Sequence, residues 1–145
     1  MKSHPLSLQQ GFSIIEILIA VTIMGILATV VILNIGGAPD EARSAKAKQD
    51  IKTLESALEI YKLNNFSYPS TDQGLEALVS RPSGQPAAPN WKPGGYIKQL
   101  PKDPWGNEYQ YLNPGSRGEY DLWTYGADGQ SGGEGTAADI GNWSR

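Results

Sequence analysis

Cysteine is absent from this chain of 145 residues, and histidine occurs once, as His4. The first absence excludes a disulfide, a thiolate nucleophile and a Cys-ligated zinc site. The second confines any imidazole chemistry to the extreme N-terminus. An excess of basic charge is also missing: 12 Lys and Arg stand against 15 Asp and Glu, for a net charge of -3. Such a balance offers no basic patch to a phosphate backbone, so nucleic acid is not an expected partner. No Walker-type phosphate loop occurs, and any ATP hydrolysis must belong to other proteins. A domain this small without disulfides often needs another staple, and a bound metal or self-assembly would serve.

The chain does contain one long apolar block. Residues 12–35 read FSIIEILIAVTIMGILATVVILNI, preceded by a short polar stretch, residues 1–11. At about 1.5 Å per residue a helix of this length crosses a hydrocarbon core of roughly 30 Å. The block is too long for the apolar part of an ordinary secretory signal, which runs to about 7–15 residues. Glu16 lies near its start, and an acid in a membrane helix is costly, up to about 2.5–3.5 kcal/mol at the centre, unless it is neutralised. Charge does not set the orientation. Lys2 stands alone before the span, and Arg43, Lys46 and Lys48 are mixed with Asp40 and Glu41 beyond it. Gly25 and Thr29 form a small-xxx-small pair that lets helices approach closely.

Gly11-Phe12-Ser13-Ile14-Ile15-Glu16 resembles the processing motif of type IV prepilins. The resemblance implies cleavage by a prepilin peptidase between Gly11 and Phe12, N-methylation of Phe12, a cytoplasmic N-terminus and an intact helix after processing. Cleavage would leave an ammonium on Phe12, and the Glu16 carboxylate can pair with it in a neighbouring subunit or within the same chain. Opposite charges attract more strongly in low dielectric. The plainer alternative is a signal anchor carrying an incidental acid.

Beyond the block, Ala47, Ile51, Leu54, Leu58 and Tyr61 recur at steps of four and three, with Lys46, Lys48, Lys52, Glu55, Glu59 and Lys62 around them. This period predicts an amphipathic helix whose apolar stripe packs on its own domain. Between the two helical parts, Gly36-Gly37-Ala38-Pro39 combines poor helix formers, and a kink or local melting is expected there. The prepilin pattern often has a proline where this chain has Leu33. The melting segment is therefore expected at residues 36–39 instead.

Gly and Pro, 17 and 10 in number, concentrate after Tyr68 and predict a turn-rich half with short strands. Ser70 or Thr71 can cap a short helix towards Val79, and a proline-rich surface loop follows from Arg81 to Pro93. Two prolines and a glycine around Trp105 suit a rigid turn that buries the indole. Tyr109 and Tyr111, then Leu122, Trp123 and Tyr125, mark two strands separated by Asn113-Pro114-Gly115. The expected fold class is α+β: a long N-terminal helix, membrane half plus amphipathic half, packed against a small antiparallel sheet in a pilin-like arrangement.

The blocks YPSTDQGLEAL, GYIKQLPKDPWGNEYQY and YDLWTYGADGQSGGEGTAADIGNW, in this order and spacing, resemble the major pseudopilin family of bacterial type II secretion systems. The resemblance covers the chain from Gly11 to Trp143. It implies three regions: a leader at 1–11, a transmembrane and polymerisation helix at 12–35, and a periplasmic domain at 36–145. It also implies a homo-polymer on the inner membrane, with minor pseudopilins, prepilin peptidase, an inner-membrane assembly platform and an outer-membrane secretin as partners. Processing would remove His4 and leave no imidazole base. The rivals are a type IV pilin for adhesion or motility, and a membrane-tethered calcium or carbohydrate-binding module that never polymerises.

The terminal block is acidic and rich in glycine, with Asp121, Asp128, Glu134 and Asp139. Hard oxygens on a bendable loop suit calcium, which takes about six to eight of them. The register is not that of an EF-hand. By resemblance to the family's calcium loop, the ligands would be the carboxylates of Asp128 and Asp139 and the carbonyls of Tyr125 and Gln130, with Ser131 and Thr136 nearby. Glu134 can instead face solvent, Asp121 can brace its strand, and the whole loop can be a metal-free turn. Carboxylate catalysis would have to pair Asp121 with Asp128, in a domain with little room for a cleft.

Overall fold

The computed structural model describes residues 11–35 and 38–144, with side chains described outside 28–38. The chain divides into two compact units, Met1–Ala38 and Pro39–Arg145. In the first, α1 (Ile14–Ile35) begins where the amides of Glu16 and Ile17 donate to the carbonyl of Ser13, at 3.0 and 3.2 Å. Ser13 thus occupies the N-cap position, and Glu16 falls in the first turn, where a carboxylate complements the helix dipole. The backbone stays helical through Leu33, the position at which a proline would have removed an intrahelical donor. Among the described residues no helix is long and apolar enough to cross a membrane. The described side chains of α1 end at Leu27, short of a roughly 30 Å core.

The second unit is built on α2 (Ala38–Asn65). Pro39 sits in its first turn, where a missing N–H costs no intrahelical bond, and Asp40 and Glu41 complement the dipole there. Of the break expected at 36–39, Gly36 and Gly37 lie outside the described residues. The expected stripe is the core: Ala47, Ile51, Leu54, Leu58 and Tyr61 are all buried, joined by Ala57. Each fully buried leucine contributes about 1.5–3 kcal/mol. The exposed face carries the pairs Arg43–Asp40 and Lys46–Asp50, at 2.8 and 2.6 Å.

Against α2 lies a three-stranded antiparallel sheet, β1 (Gln110–Leu112), β2 (Asp121–Thr124) and β3 (Ile140–Gly141), in spatial order β1-β2-β3. Tyr111 pairs with Leu122 across the first ladder and Thr124 with Ile140 across the second. Leu122 and Thr124 are buried, while Trp123 is half-buried on the opposite face against Tyr125 and Trp143. The two strands expected from sequence are present, and β3 is an addition.

The expected short helix is a 3-10 turn, Leu75–Leu78, opened by Gly74 at φ 59°. Ser70 caps the preceding turn: its hydroxyl accepts from the amide of Gln73, whose side chain accepts in return from the Ser70 amide. Thr71 instead joins the loop after β1, exchanging two 3.0 Å hydrogen bonds with Asn113. Trp105 is half-buried against the core, and Asp103 organises its turn. The buried Asp103 carboxylate accepts the amides of Trp105 and Asn107, at 3.0 and 2.8 Å, and the Thr124 hydroxyl.

Candidate polymerisation helix and oxygen-lined loop

α1 presents its apolar side chains outward. Phe12 is 80% exposed, Ile14 87% and Met24 69%, and every large apolar residue between them is at least half exposed. Such a surface, apolar all round, belongs in lipid or against other helices. Glu16 is the only ionisable residue between Phe12 and Ile35. Gly11, Phe12 and Glu16 lie within one short stretch, with Gly11 and Phe12 exposed ahead of the helix.

At the other end of the chain, Tyr125 follows β2 and leads into a 3-10 turn, Gly126–Asp128. A second turn, Gly135–Ala137, packs against it. Gly126 is required where they meet. It holds φ +71°, and a Cβ there would stand 2.7 Å from the carbonyl oxygen of Ala138 and 2.9 Å from that of Thr136. Asp128 is exposed, and its Oδ1 accepts the amide of Gln130 at 3.0 Å. Asp139 closes the loop: its Oδ2 accepts the amide of Gly132 at 3.1 Å, and its own amide donates to the Gly132 carbonyl at 3.2 Å.

The remaining oxygen, Asp139 Oδ1, is buried and accepts no hydrogen bond. An unsatisfied buried carboxylate oxygen costs about 1–3 kcal/mol or more, and a cation would remove that cost. Tyr125, Ser131 and Asp139 line a common cavity of about 260 Å³ with Asp121, Trp123 and Trp143. Asp128 and Gln130 lie on the exposed part of the loop, outside that lining. Among the described residues no three Asp, Glu, His or Cys side chains are grouped to hold a metal. Carbonyl oxygens would have to supply most of a coordination shell, and the all-oxygen donor set fits calcium in kind. Glu134 and its neighbours 132–135 are exposed.

Asp121 braces its strand. Its carboxylate accepts the hydroxyl and amide of Ser116, at 2.7 and 2.8 Å, and the amide of Arg117 at 3.1 Å. Burial pushes this carboxyl up, but those donors, with the amide of Gly118, outweigh it and hold it below the ordinary carboxylate range. Its oxygens are therefore committed to the 116–118 turn and are not free for paired carboxylate chemistry with Asp128. The Arg117 guanidinium lies 4.2 Å above the Trp143 ring.

A helix with outward apolar side chains and one acid near its start, followed by a long helix backed by a three-stranded sheet, is the arrangement of pseudopilins. The model of the prokaryotic N-terminal methylation motif matches residues 6–32, and that of "Type II secretion system (T2SS), protein G" matches residues 34–143. Type II secretion system core protein G of Vibrio cholerae is 58% identical over 93% of this chain and 92% of its own length. Its counterpart in Pseudomonas aeruginosa is 56% identical over 93% and 95%. The crystal structure of the major pseudopilin from the type 2 secretion system of enterohaemorrhagic Escherichia coli superposes with a TM-score of 0.69 at 46% identity, covering 77% of this chain and 96% of that one. The chain belongs to the protein G family of type II secretion systems.

Proposed function

We propose that this chain is the repeating structural subunit of a periplasmic pseudopilus, made as a precursor and polymerised through α1. The observation that carries the reading is the outward apolar surface of α1 with Glu16 as its one charge. Before assembly that surface is satisfied by the inner membrane. The 22-residue backbone helix is about 33 Å long at 1.5 Å per residue, comparable to a hydrocarbon core of roughly 30 Å. Cleavage between Gly11 and Phe12 frees an amine, methylation leaves it charged, and Glu16 of an adjacent subunit neutralises it.

The other partners follow from this role: prepilin peptidase, minor pseudopilins, an inner-membrane assembly platform and an outer-membrane secretin. The role is structural and asks no catalysis of the chain. The domain's loop binds calcium through Asp139 and Asp128 with the carbonyls of Tyr125 and Gln130, and its support is the unpartnered Asp139 Oδ1.

Mass spectrometry of the membrane-extracted protein tests the processing step. The expected species begins at Phe12 and carries one added methyl group; an intact Met1 terminus would overturn it. Glu16→Ala is expected to abolish fibres and export while leaving the soluble domain folded, and undiminished fibres would refute the pairing.

A further inference from the structure

The buried oxygen Asp139 Oδ1 accepts no hydrogen bond, yet Arg117 lines the same cavity. Arg117 is in no ion pair among the described residues, whose salt bridges are Arg43–Asp40, Lys46–Asp50 and Lys62–Glu119. A carboxylate and a guanidinium bordering one cavity ordinarily form a charge-assisted, often bidentate pair. Two constraints on Arg117 oppose that pairing here. Its amide donates to Oδ1 of Asp121 at 3.1 Å, which ties its backbone to the start of β2. Its guanidinium stands 4.2 Å from the centre of the Trp143 ring, where the negative ring face attracts a cation.

Trp143 is itself held firmly. The Ser144 amide donates to the Gly141 carbonyl at 2.9 Å, and the Ser144 hydroxyl accepts the Gly141 amide at 3.2 Å, closing a turn around residues 141–144. Within that turn Asn142 is fastened to β2, its amide donating to the Leu122 carbonyl at 2.9 Å and its Oδ1 accepting the Leu122 amide at 3.2 Å. The indole folds back over Gly141, where a Cβ would meet the ring at 2.6 Å, and lies 6.0 Å from the Trp123 ring. Its face is thereby presented to Arg117 at the edge of the cavity that Asp139 also lines.

We infer that Trp143 is a positioning residue: its ring holds the Arg117 guanidinium away from Asp139 and so keeps the buried carboxylate oxygen free for calcium. The inference rests on the reading of the loop as a calcium site and adds two residues that ligate nothing. A guanidinium seated on Asp139 would occupy the ligand oxygen and repel a divalent cation together. Trp143 therefore acts by withholding a competitor.

Isothermal titration of calcium chloride into the full chain in detergent micelles reads the Kd. Trp143→Leu keeps an apolar side chain over Gly141 but removes the ring face. It should weaken binding about tenfold, the scale of one hydrogen bond between charged groups that must break before the cation enters. Trp143→Phe retains a ring face and should bind within about twofold of wild type. Combining Trp143→Leu with Arg117→Gln removes the competitor and should restore binding to within about twofold, a coupling that a packing role for Trp143 would not produce. A double variant as weak as Trp143→Leu overturns the inference, as does an unchanged Kd in Trp143→Leu. Arg117→Gln alone leaves Trp143 in place and should bind at least as tightly as wild type; weaker binding also overturns the inference. A wild-type chain that gives no calcium heat and no calcium-dependent rise in melting temperature overturns the calcium reading itself.

Discussion

The Tyr109 hydroxyl donates to Oδ2 of Asp50 at 2.9 Å, fastening the approach to β1 onto the middle of α2. The same oxygen holds the Lys46 ammonium at 2.6 Å. One carboxylate therefore orders both a surface pair on the helix and the seam between helix and sheet.

That seam makes the domain sensitive to alkali. Burial, then the hydrogen bond to Asp50, raises the Tyr109 pKa, and Tyr68, Tyr111 and Tyr120 are raised as well, each first by burial. The fold favours the neutral phenols. Their stabilising contribution is complete below the unfolded value of about 10 and is lost as pH rises from there through the higher folded values. Thermal melts followed by circular dichroism should show the melting temperature falling steadily above pH about 10. Tyr109→Phe should lower stability by about 1 kcal/mol at neutral pH, the worth of one hydrogen bond, and flatten the alkaline fall.

Asp121 gives the opposite limb. Its folded pKa is depressed, so its contribution is present above the unfolded value of about 3.9 and is lost as pH falls through the folded one. Asp121→Asn places an amide donor among the donors of Ser116 and Arg117, and a loss of about 1–3 kcal/mol is expected at pH 7. The deficit should shrink as the wild type is acidified. Urea unfolding at pH 7 and at pH 3 measures both values.

The core prediction follows from burial. Leu58 is completely buried at the centre of the stripe, so Leu58→Ala should cost about 2–5 kcal/mol, the range for a cavity left by a core leucine. Equilibrium unfolding in urea reads the change directly.

That stripe was the most legible part of the fold, because burial on a helix repeats every 3.6 residues and needs no knowledge of the partner surface. The strands around Tyr111 and Trp123 were legible for the same local reason. β3 was not, since its two residues carry no period and acquire strand structure only by pairing with Trp123 and Thr124. The helical reading near Val79 missed that Gly74, at φ 59° and ψ -167°, starts a tighter turn. The Asp103 carboxylate went unassigned because one of its donors, Thr124, lies 21 residues further along the chain. In the loop, residue type offered four acids, and the family resemblance indicated Asp139 and Asp128 equally. The fold distinguishes them, burying one oxygen of Asp139 and leaving Asp128 at the surface.

That difference sets the expected response to calcium. A cation held by the folded loop and not by the unfolded chain stabilises the domain by mass action, by about 2.7 kcal/mol at a hundredfold excess over its Kd. Calcium should therefore raise the melting temperature of the unit Pro39–Arg145, and a chelator should return it to the starting value. Asp139→Ala removes the unpartnered oxygen together with the acceptor for the Gly132 amide, and should abolish the calcium response. Asp128→Ala, at an exposed position, should weaken the response without removing it. A wild-type melt that is identical with calcium and with chelator would refute the site, whatever the variants do.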